Sequence, residues 1–408
     1  MEQVQTDVLS QPIRVQLSQN KEEYFNDTPE YISQSDLKLL DQHPSKLKKE
    51  LTKRLDDKAY LKEVIINEET TVEEVEEEAS DGMLIGSIVD TALTEGDEEV
   101  HERYYTLTTN KPENKLGEFC SYLVTSPSGQ EFKEAYDYAN IKGYKLETML
   151  DKYKKEGGEA YVTDTRRAAQ SGKQPIPLDL NSKALACINS FRESPVTSYL
   201  FSGVKGVDYF TQVAIFVTID LPDISITPIK VKGMLDLIKV DYKKMLLYPV
   251  DFKVTKYEAY NWGSWGIVKY RYDLQQSMYY LLLELALRNP KAKDLFTPDF
   301  DPTGFDIGKF KFAVESHSTP GSPVFHSVDC PATHYEIRGL DPPQFILKGS
   351  MCPEKLHLSS GRSINSLYNL MCRYAWHRDK NLWKYTKEEY NNNYCRHHTE
   401  IFSNLTTL

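Results

Sequence analysis

The chain has 408 residues and a mass of 47.0 kDa, with 40% hydrophobic residues and a net charge of −11 at pH 7. This length permits a large core, arranged as two or three domains or as one decorated domain. No apolar run reaches the roughly 18 to 20 residues of a membrane span, and the N-terminus has no basic segment followed by an apolar one. We therefore expect a cytoplasmic protein without a membrane partner.

Much of the negative charge is local, because residues 68–78 carry seven carboxylates and no basic side chain. A solvated loop is the favoured interpretation of this acidic run, and a regulatory mimic of DNA is the alternative. The net charge therefore does not exclude a nucleic-acid ligand. It predicts that any basic surface is confined to a groove.

The cysteines are scattered along the chain and include no CxxC pair. Zinc ligation and a disulfide framework are therefore not expected, and we expect reduced, structural thiols. His397-His398 beside Cys395 resembles a metal cluster by composition only. The six cysteines are Cys120, Cys187, Cys330, Cys352, Cys372 and Cys395.

The N-terminal part of the chain predicts short helices after a polar segment, residues 1–30, that we expect to be flexible. Ser33 is a helix-capping residue, and the helix that follows ends before His43-Pro44. A second short helix follows from Ser45. Residues 82–93 are apolar with small residues interspersed, which predicts a buried helix packed closely on a neighbour, with Asp90 as its charged residue.

Residues 97–177 form a long polar stretch with helical spacing and Gly/Lys-rich breaks, which predicts a helical insertion or lid. Residues 180–194 then predict an amphipathic helix that places Leu185, Ile188 and Phe191 on one face and stops at Pro195.

The remainder of the chain alternates strands with helices and predicts an α/β fold. We expect a mixed central β-sheet of about four or five strands, flanked by helices and built from residues 31–96 and 178–390, with a C-terminal tail at 391–408. The predicted strands are 209–219, 229–240, 245–254, 310–315 and 324–328, and the predicted helices are 272–288 and about 363–381.

Two acids and a lysine lie on neighbouring predicted strands. Asp236 closes the sequence Gly233-Met234-Leu235-Asp236, and Asp251 and Lys253 follow the next apolar stretch. Side chains two apart in a strand share a face, so Asp251 and Lys253 point the same way. Two carboxylates from adjacent strands can hold a hard divalent cation with the ammonium beside it. Such a site activates water and stabilises a pentavalent phosphate.

Each of these residues also has an ordinary structural interpretation. Asp236 alone could cap a turn, and Lys253 alone could be a solvated strand residue. Asp90 is costly to bury unless it is paired, so metal ligation is favoured over a helix-end role. Arg271 and Lys256 are near enough in sequence to contact phosphates, although solvation at the surface is the favoured interpretation for both.

On the helix predicted at 272–288, Gln275 and Tyr279 lie one turn apart. Gln276 and Tyr280 have the same spacing and compete for the same role. The flanking apolar residues favour Gln275 and Tyr279, and a polar helix edge is the structural alternative.

Taken in order, these residues resemble a known family. An early helix with Ser33-Gln34-Ser35-Asp36-Leu37 is followed by His43-Pro44, by Gly86 with Asp90, and then by the Asp236, Asp251-Phe252-Lys253 and Gln275-x-x-x-Tyr279 motifs. The whole is similar to the PD-(D/E)XK nuclease superfamily, in its RecB-like branch, and most similar to phage exonuclease VIII (RecE-like). Supporting matches are the strand ending in Val314-Glu315 and the late helix from Leu367. The resemblance covers roughly 30–95 and 178–390, without the insertion.

The resemblance implies a restriction-endonuclease-like core and a role for each site residue. Asp90, Asp236, Asp251 and the carbonyl of Phe252 would face Mg²⁺, with Mn²⁺ as a second possibility. Lys253 would orient or activate the attacking water. Gln275 and Tyr279 would hold the substrate phosphate or fix the lysine. Relatives commonly carry histidine where this chain has Asp90. The cysteine spacing of relatives with an iron–sulfur cluster is missing here, so we expect no such cluster.

The implied function is a Mg²⁺-dependent exodeoxyribonuclease. Its substrate would be the end of linear double-stranded DNA, digested in phage-type recombination to leave a single strand for a partner annealing protein. Family members assemble as rings, which implies a homo-oligomer. Two alternatives stay open: a catalytically impaired DNA-binding or virion-associated protein with the same fold, and a single-strand nuclease within a larger repair complex.

Overall fold

The computed structural model describes residues 14–16, 24, 30–64, 80–143, 145–203, 205–221, 225–289, 292, 300–327, 355–357, 363–365, 367–381 and 383. Most of the N-terminal segment 1–30, the acidic run and the tail 391–408 lie outside these residues. So do His397-His398 and the cysteines at 330, 352 and 395. The described cysteines Cys120, Cys187 and Cys372 are free and buried.

Helices account for much of the described chain. They are α1 Gln34–Gln42, α2 Pro44–Val64, α3 Asp81–Thr94, α4 Asp97–Arg103, α5 Asn114–Thr125, α6 Phe132–Tyr138, α7 Leu146–Lys155, α8 Gly158–Gln170, α9 Leu178–Glu193, α10 Ala259–Lys269, α11 Tyr272–Arg288 and α12 Leu367–Lys380.

Strands are concentrated in the second half of the chain. They are β1 Arg14–Gln16, β2 Tyr104–Thr106, β3 Gln174–Ile176, β4 Val207–Ile219, β5 Ile229–Asp241, β6 Leu246–Thr255, β7 Asp306–Ile307, β8 Lys311–Ser316, β9 Val324–His326, β10 Lys355–His357 and β11 Ser363–Asn365.

The core is a mixed sheet flanked by helices, which confirms the predicted α/β class. Its order is β1-β4-β5-β6-β8-β9, and β7 pairs with β6. The β4–β5 and β5–β6 pairs are antiparallel, whereas β6 and β8 are parallel. The sheet has seven strands rather than the four or five expected. The strands missed by the prediction, β1 and β7, are too short to show a two-residue periodicity.

Helices cover both faces of this sheet. One hydrophobic cluster joins α1, α11 and α12 to the sheet through residues such as Leu37, Met278 and Leu370. A second cluster joins α3 and α9 to the opposite face through Ile88, Ile188 and other side chains. The prediction for the apolar face of α9 was wrong for Leu185, which is 49% exposed. The buried stripe instead passes through its neighbours Leu180, Ala184, Cys187, Ile188 and Phe191.

Within residues 97–177, helices α5 to α8 have a core of their own. Phe119, Met149 and Val162 belong to a hydrophobic cluster distinct from the two clusters on the sheet. The parallel pair β2–β3 lies where this segment leaves and rejoins the rest of the chain, with Tyr104 beside Gln174 and Thr106 beside Ile176. The insertion is therefore attached through a short two-stranded base.

Three local predictions differ from the structure. The second helix is not short, since α2 runs for 21 residues. The predicted helix at 363–381 begins only at Leu367, because Ser363–Asn365 forms a strand with Lys355–His357. Gly86 has open space around the position of a Cβ, so this glycine is not a point of close helix packing.

Among the helices in the described ranges, none is both long enough and apolar enough to cross a membrane.

Candidate active site

The two predicted strand carboxylates lie where the sheet pairing is interrupted. The β5–β6 pairing reaches Leu237↔Val250, so Asp236 and Asp251 are the next facing residues beyond it. The backbone N–H of Phe252 donates to Asp236 Oδ2 at 2.8 Å. This bond replaces regular pairing at that point and holds the Asp236 carboxyl against β6.

Asp251 is fixed by two donors. Its Oδ2 forms an ion pair with the Lys253 ammonium, and its Oδ1 accepts a hydrogen bond from Gln275 Nε2 at 2.7 Å. The side chain of Asp251 is 1% exposed, whereas that of Lys253 is 18% exposed. Asp251 therefore lies behind the lysine, and the ammonium faces the more accessible side of the site.

Tyr279 lies one turn after Gln275 and forms a hydrogen bond with it. Burial raises the pKa of the Tyr279 hydroxyl, and the Asp251 carboxylate raises it further, so this phenol stays neutral. A Cβ on Gly233 would lie 3.0 Å from the Tyr279 ring. Glycine at 233 thus lets α11 approach β5 closely enough for Gln275 to reach Asp251. The competing residues Gln276 and Tyr280 are also buried in this helix.

Asp90 reaches the site from the other face of the sheet, on α3. Gln212, in β4, lies between the residues that pair with Leu237 and Leu235, at a gap in the register, and has a left-handed φ of 50°. Its Nε2 donates to Thr94 Oγ1 at 2.6 Å, and Thr94 Oγ1 donates to the carbonyl of Asp90 at 2.7 Å. This chain of hydrogen bonds ties the last turn of α3 to the strand beside Asp236. Gln212 and Thr94 were not among the site residues predicted from the sequence.

The electrostatics of the site suit a hard cation. Burial raises the pKa of Asp236, and the nearby Asp251 and Asp90 carboxylates raise it further. Lys253 acts in the opposite direction but does not cancel these effects. Neighbouring, desolvated carboxylates with one ammonium beside them provide oxygen donors of the kind that Mg²⁺ or Mn²⁺ prefers.

These carboxylates do not form a finished metal cage. Within the part of the chain that the structure describes, no three Asp, Glu, His or Cys side chains are arranged to hold a metal ion as they stand. The donor chemistry of these residues fits a divalent ion.

Phe252 links the site to the α3–α9 side of the sheet. Its carbonyl accepts a hydrogen bond from Lys253 Nζ at 3.3 Å. Its ring packs between Phe191 and Phe201, with centroid separations of 5.5 and 5.8 Å. Both backbone polar groups of Phe252 are therefore hydrogen-bonded within the site: its N–H donates to Asp236, and its carbonyl accepts from Lys253.

The structure adds residues that the sequence analysis did not identify. Lys38, on α1, has its Nζ 4.9 Å from the centroid of Tyr272, and Lys253 Nζ is 5.3 Å from the same ring. No sequence signal separates Lys38 from the other lysines near it, because its proximity depends on the docking of α1 against α11.

The expectation that Arg271 is solvated at the surface was wrong. Its side chain is 11% exposed and forms ion pairs with Asp41 and Asp273. Lys256 is exposed, as expected. Arg271 therefore joins α1 to the start of α11 and belongs to the framework of the site.

No known family model and no curated protein matches the sequence. The chain is similar to a solved crystal structure from Eubacterium rectale described as a "Putative exonuclease", with 15% sequence identity and a TM-score of 0.36. The match covers 78% of this chain and 80% of that chain. At this identity and TM-score, the likeness alone assigns neither fold family nor function.

Proposed function

We propose that this chain is a metal-dependent deoxyribonuclease that hydrolyses phosphodiester bonds. The observation that carries the proposal is the arrangement around Asp251. Its carboxylate is buried, faces Asp236 across two strands, and is held by the Lys253 ammonium and the Gln275 amide. A structural ion pair alone would not bring two further carboxylates, Asp236 and Asp90, near enough to act electrostatically on one another.

Lys253 acts in this proposal as a fixed positive charge. Burial lowers the pKa of its ammonium, but the Asp251 and Asp236 carboxylates outweigh this effect and raise the pKa above its usual value. A lysine that stays protonated cannot accept the proton of water. It can orient the attacking water and stabilise the negative charge that develops on the scissile phosphate.

Gln275 and Tyr279 serve as positioning residues. Gln275 fixes one oxygen of Asp251, so the other stays directed at Lys253. Tyr279, neutral and hydrogen-bonded to Gln275, fixes the glutamine in turn. This arrangement holds the reacting groups with little reorganisation, which is a main source of electrostatic catalysis.

The residues that would hold Mg²⁺ or Mn²⁺ are Asp90, Asp236 and Asp251, with the carbonyl of Phe252 beside them. When bound, the ion supplies Lewis acidity: it lowers the pKa of water and neutralises charge on the phosphate.

The finer parts of the proposal come from the resemblance to the RecE-like nucleases. They are digestion of linear double-stranded DNA from its ends, assembly of the chain into a homo-oligomer, and delivery of single-stranded product to an annealing protein. The motif order in the sequence supports them.

End-labelled linear duplex and covalently closed circular DNA, incubated with Mg²⁺, Mn²⁺ or EDTA, test the proposal. We expect linear DNA to be degraded with either metal and to survive in EDTA, while circles survive throughout. Lys253→Gln should abolish cleavage. Lys230→Gln, which changes a 48%-exposed lysine of the same sheet, is the matched control and should cleave normally.

Cutting of circles would replace the exonuclease by an endonuclease. Preferential degradation of single strands would favour the nuclease of a larger repair complex. DNA binding without cleavage in either metal would show a catalytically impaired binding protein, with Asp90 as the first residue to restore to histidine.

A further inference from the structure

Two ammonium groups from distant parts of the chain lie against one aromatic ring. Lys253 Nζ, from β6, and Lys38 Nζ, from α1, are 5.3 and 4.9 Å from the centroid of Tyr272. Tyr272 is the first residue of α11 and is half-buried, as is Lys38. The three side chains form a small positively charged surface at the accessible side of Asp251, and we refer to it as the Lys38–Tyr272–Lys253 surface.

The position of Lys38 is fixed by the ion pairs beside it. Asp41, nearly one turn further along α1, pairs with Arg271, the residue immediately before Tyr272. Arg271 has a left-handed φ of 56°, and its guanidinium also contacts Asp273 in the first turn of α11. Such a backbone conformation persists in a non-glycine residue only when its surroundings determine it. The ion pairs of Arg271 therefore fix α1 against the start of α11, and this keeps Lys38 beside Tyr272.

Like charges held together in a partly buried place carry an energetic cost, which the nearby Asp251 carboxylate offsets in part. Burial, and then the nearby Lys253 ammonium, lower the pKa of Lys38 to about 8, while Asp251 and Asp273 act in the opposite direction. The Tyr272 ring face offsets part of the repulsion through its negative quadrupole. A backbone phosphate beside Tyr272 would supply Lys38 with an anionic partner, which the aromatic ring does not do.

We propose that Lys38 is a second phosphate-binding residue of the site, and that the Lys38–Tyr272–Lys253 surface holds a backbone phosphate of the nucleic acid next to the scissile one. The inference rests on the proposed nuclease function and specifies how the same site engages its substrate. Lys253 acts at the reacting phosphate, and Lys38 fixes the register of the strand that carries it.

The opposing interpretation gives Lys38 a structural role only, as a cation packed on Tyr272. Salt dependence separates the two. A lysine that neutralises a phosphate releases a counterion, which contributes about 0.9 to the slope of log K against log salt concentration for duplex DNA. A lysine that only packs on a ring contributes nothing to this slope.

The experiment measures binding of a short duplex in EDTA, where cleavage does not interfere, over a range of salt concentrations. It also measures kcat and KM with Mg²⁺. The variants are Lys38→Gln, Lys38→Arg and, as a matched control, Lys49→Gln at an exposed position of α2. We expect Lys38→Gln to reduce the salt slope by about 0.9 and to raise KM by about tenfold, the effect of one charged hydrogen bond. Lys38→Arg should keep the wild-type slope.

A wild-type slope and KM in Lys38→Gln would overturn the inference while leaving the nuclease function standing. An equal loss in Lys49→Gln would also overturn it, because general surface charge would then account for the effect. If the wild-type chain neither binds nor cleaves DNA, the proposed function fails and this inference fails with it. The melting temperature of each variant, measured alongside, shows that the comparison is made between folded proteins.

Discussion

Asp251 lies close enough to Asp236 to raise the pKa of the Asp236 carboxyl, in addition to the larger effect of burial. The β5–β6 pairing, which ends at Leu237↔Val250, places the two residues next to each other. A hydrogen bond from the Phe252 N–H to Asp236 Oδ2 holds the Asp236 carboxyl there. The protein thus keeps two acids together at a cost in stability. That cost is expected where a site is organised for a cation or for catalysis.

Asp236→Asn should stabilise the fold while abolishing cleavage. At pH 7.5 the ionised Asp236 is unfavourable in the folded state, and asparagine removes that charge while its side-chain oxygen can still accept from Phe252. We expect the melting temperature to rise by about 1–3 °C. Because the pKa of Asp236 is raised in the folded state, the wild type itself gains stability as the pH falls, so the difference should shrink at pH 5.

Asp241→Asn is the matched control for this change. Asp241 has a lowered pKa: burial acts to raise it, but hydrogen bonds from the Lys244 N–H and ammonium outweigh burial. Its charge therefore stabilises the fold at neutral pH, and neutralising it should lower the melting temperature. A fall for Asp236→Asn as well would contradict the account of repulsion between Asp236 and its neighbours.

Gln275→Met should lower kcat and also destabilise the fold, because it leaves the buried Asp251 Oδ1 without its donor. The substitution removes the donor to Asp251 Oδ1, and a hydrogen bond to a charged group is worth about 1.5–3 kcal/mol. We expect cleavage to fall by about 10- to 100-fold. Gln275→Glu should be more severe, because it places another carboxylate beside Asp251. Single-turnover cleavage measures the chemical step directly, and equal activity in all three proteins would remove Gln275 from the site.

Gly233→Ala should destabilise the protein. An added Cβ would lie 2.7 Å from Leu282 Cδ1 and 3.0 Å from the Tyr279 ring, which is tighter than packed cores accept. We expect a loss of about 1–3 kcal/mol in the free energy of unfolding, measured by urea denaturation.

Gly86→Ala provides the opposite case in the same experiment. Its Cβ would meet no atom within 4 Å, and it lies inside α3. Replacing a glycine by alanine in a helix interior should stabilise by about 0.5–1 kcal/mol. Similar changes in the free energy of unfolding for the two substitutions would show that the close approach of α11 to Gly233 does not cause the destabilisation.

DNA binding without divalent cation should weaken as the pH rises through about 8. Burial, and then the Lys253 ammonium, lower the pKa of Lys38 to about 8, while Asp251 and Asp273 raise it and Arg271 lowers it. The charge on Lys38 is therefore present below pH 8 and lost above it. Lys232 also has a pKa lowered to about 8, first by burial. Lys38→Arg must accordingly remove the pH dependence if Lys38 is its source.

The insertion should be removable without unfolding the sheet domain. Helices α5 to α8 form their own core, and β2–β3 closes the base of the segment. Replacing residues 110–171 by about eight Gly/Ser residues spans the gap as a flexible coil. We expect cooperative unfolding to persist in circular dichroism melts. Loss of the folded state would show that the insertion stabilises the sheet domain.

The sequence identified most of what depends on local periodicity and motif spacing. The long strands β4, β5 and β6 were predicted to within a few residues, because each has many apolar positions. The site residues on β5, β6 and α11 could be named because they lie within a few dozen residues of one another.

The residues that were missed depend on long-range docking. Lys38 resembles its neighbouring lysines in sequence, and only the packing of α1 on α11 brings it to Tyr272. Arg271 was expected at the surface because its partner, Asp41, lies 230 positions away. Leu185 was placed on the buried face of α9 because helical periodicity identifies an apolar face but does not show which residues at its margin are buried by neighbouring elements.

The contact between Asp41 and Arg271 also sets an order in biosynthesis. Asp41 is translated 230 residues before Arg271, a delay of about 10 to 45 seconds at ordinary elongation rates. During that interval α1 has neither its ionic partner nor the tyrosine on which Lys38 rests. A nascent or truncated chain ending before residue 271 therefore lacks the assembled Lys38–Tyr272–Lys253 surface.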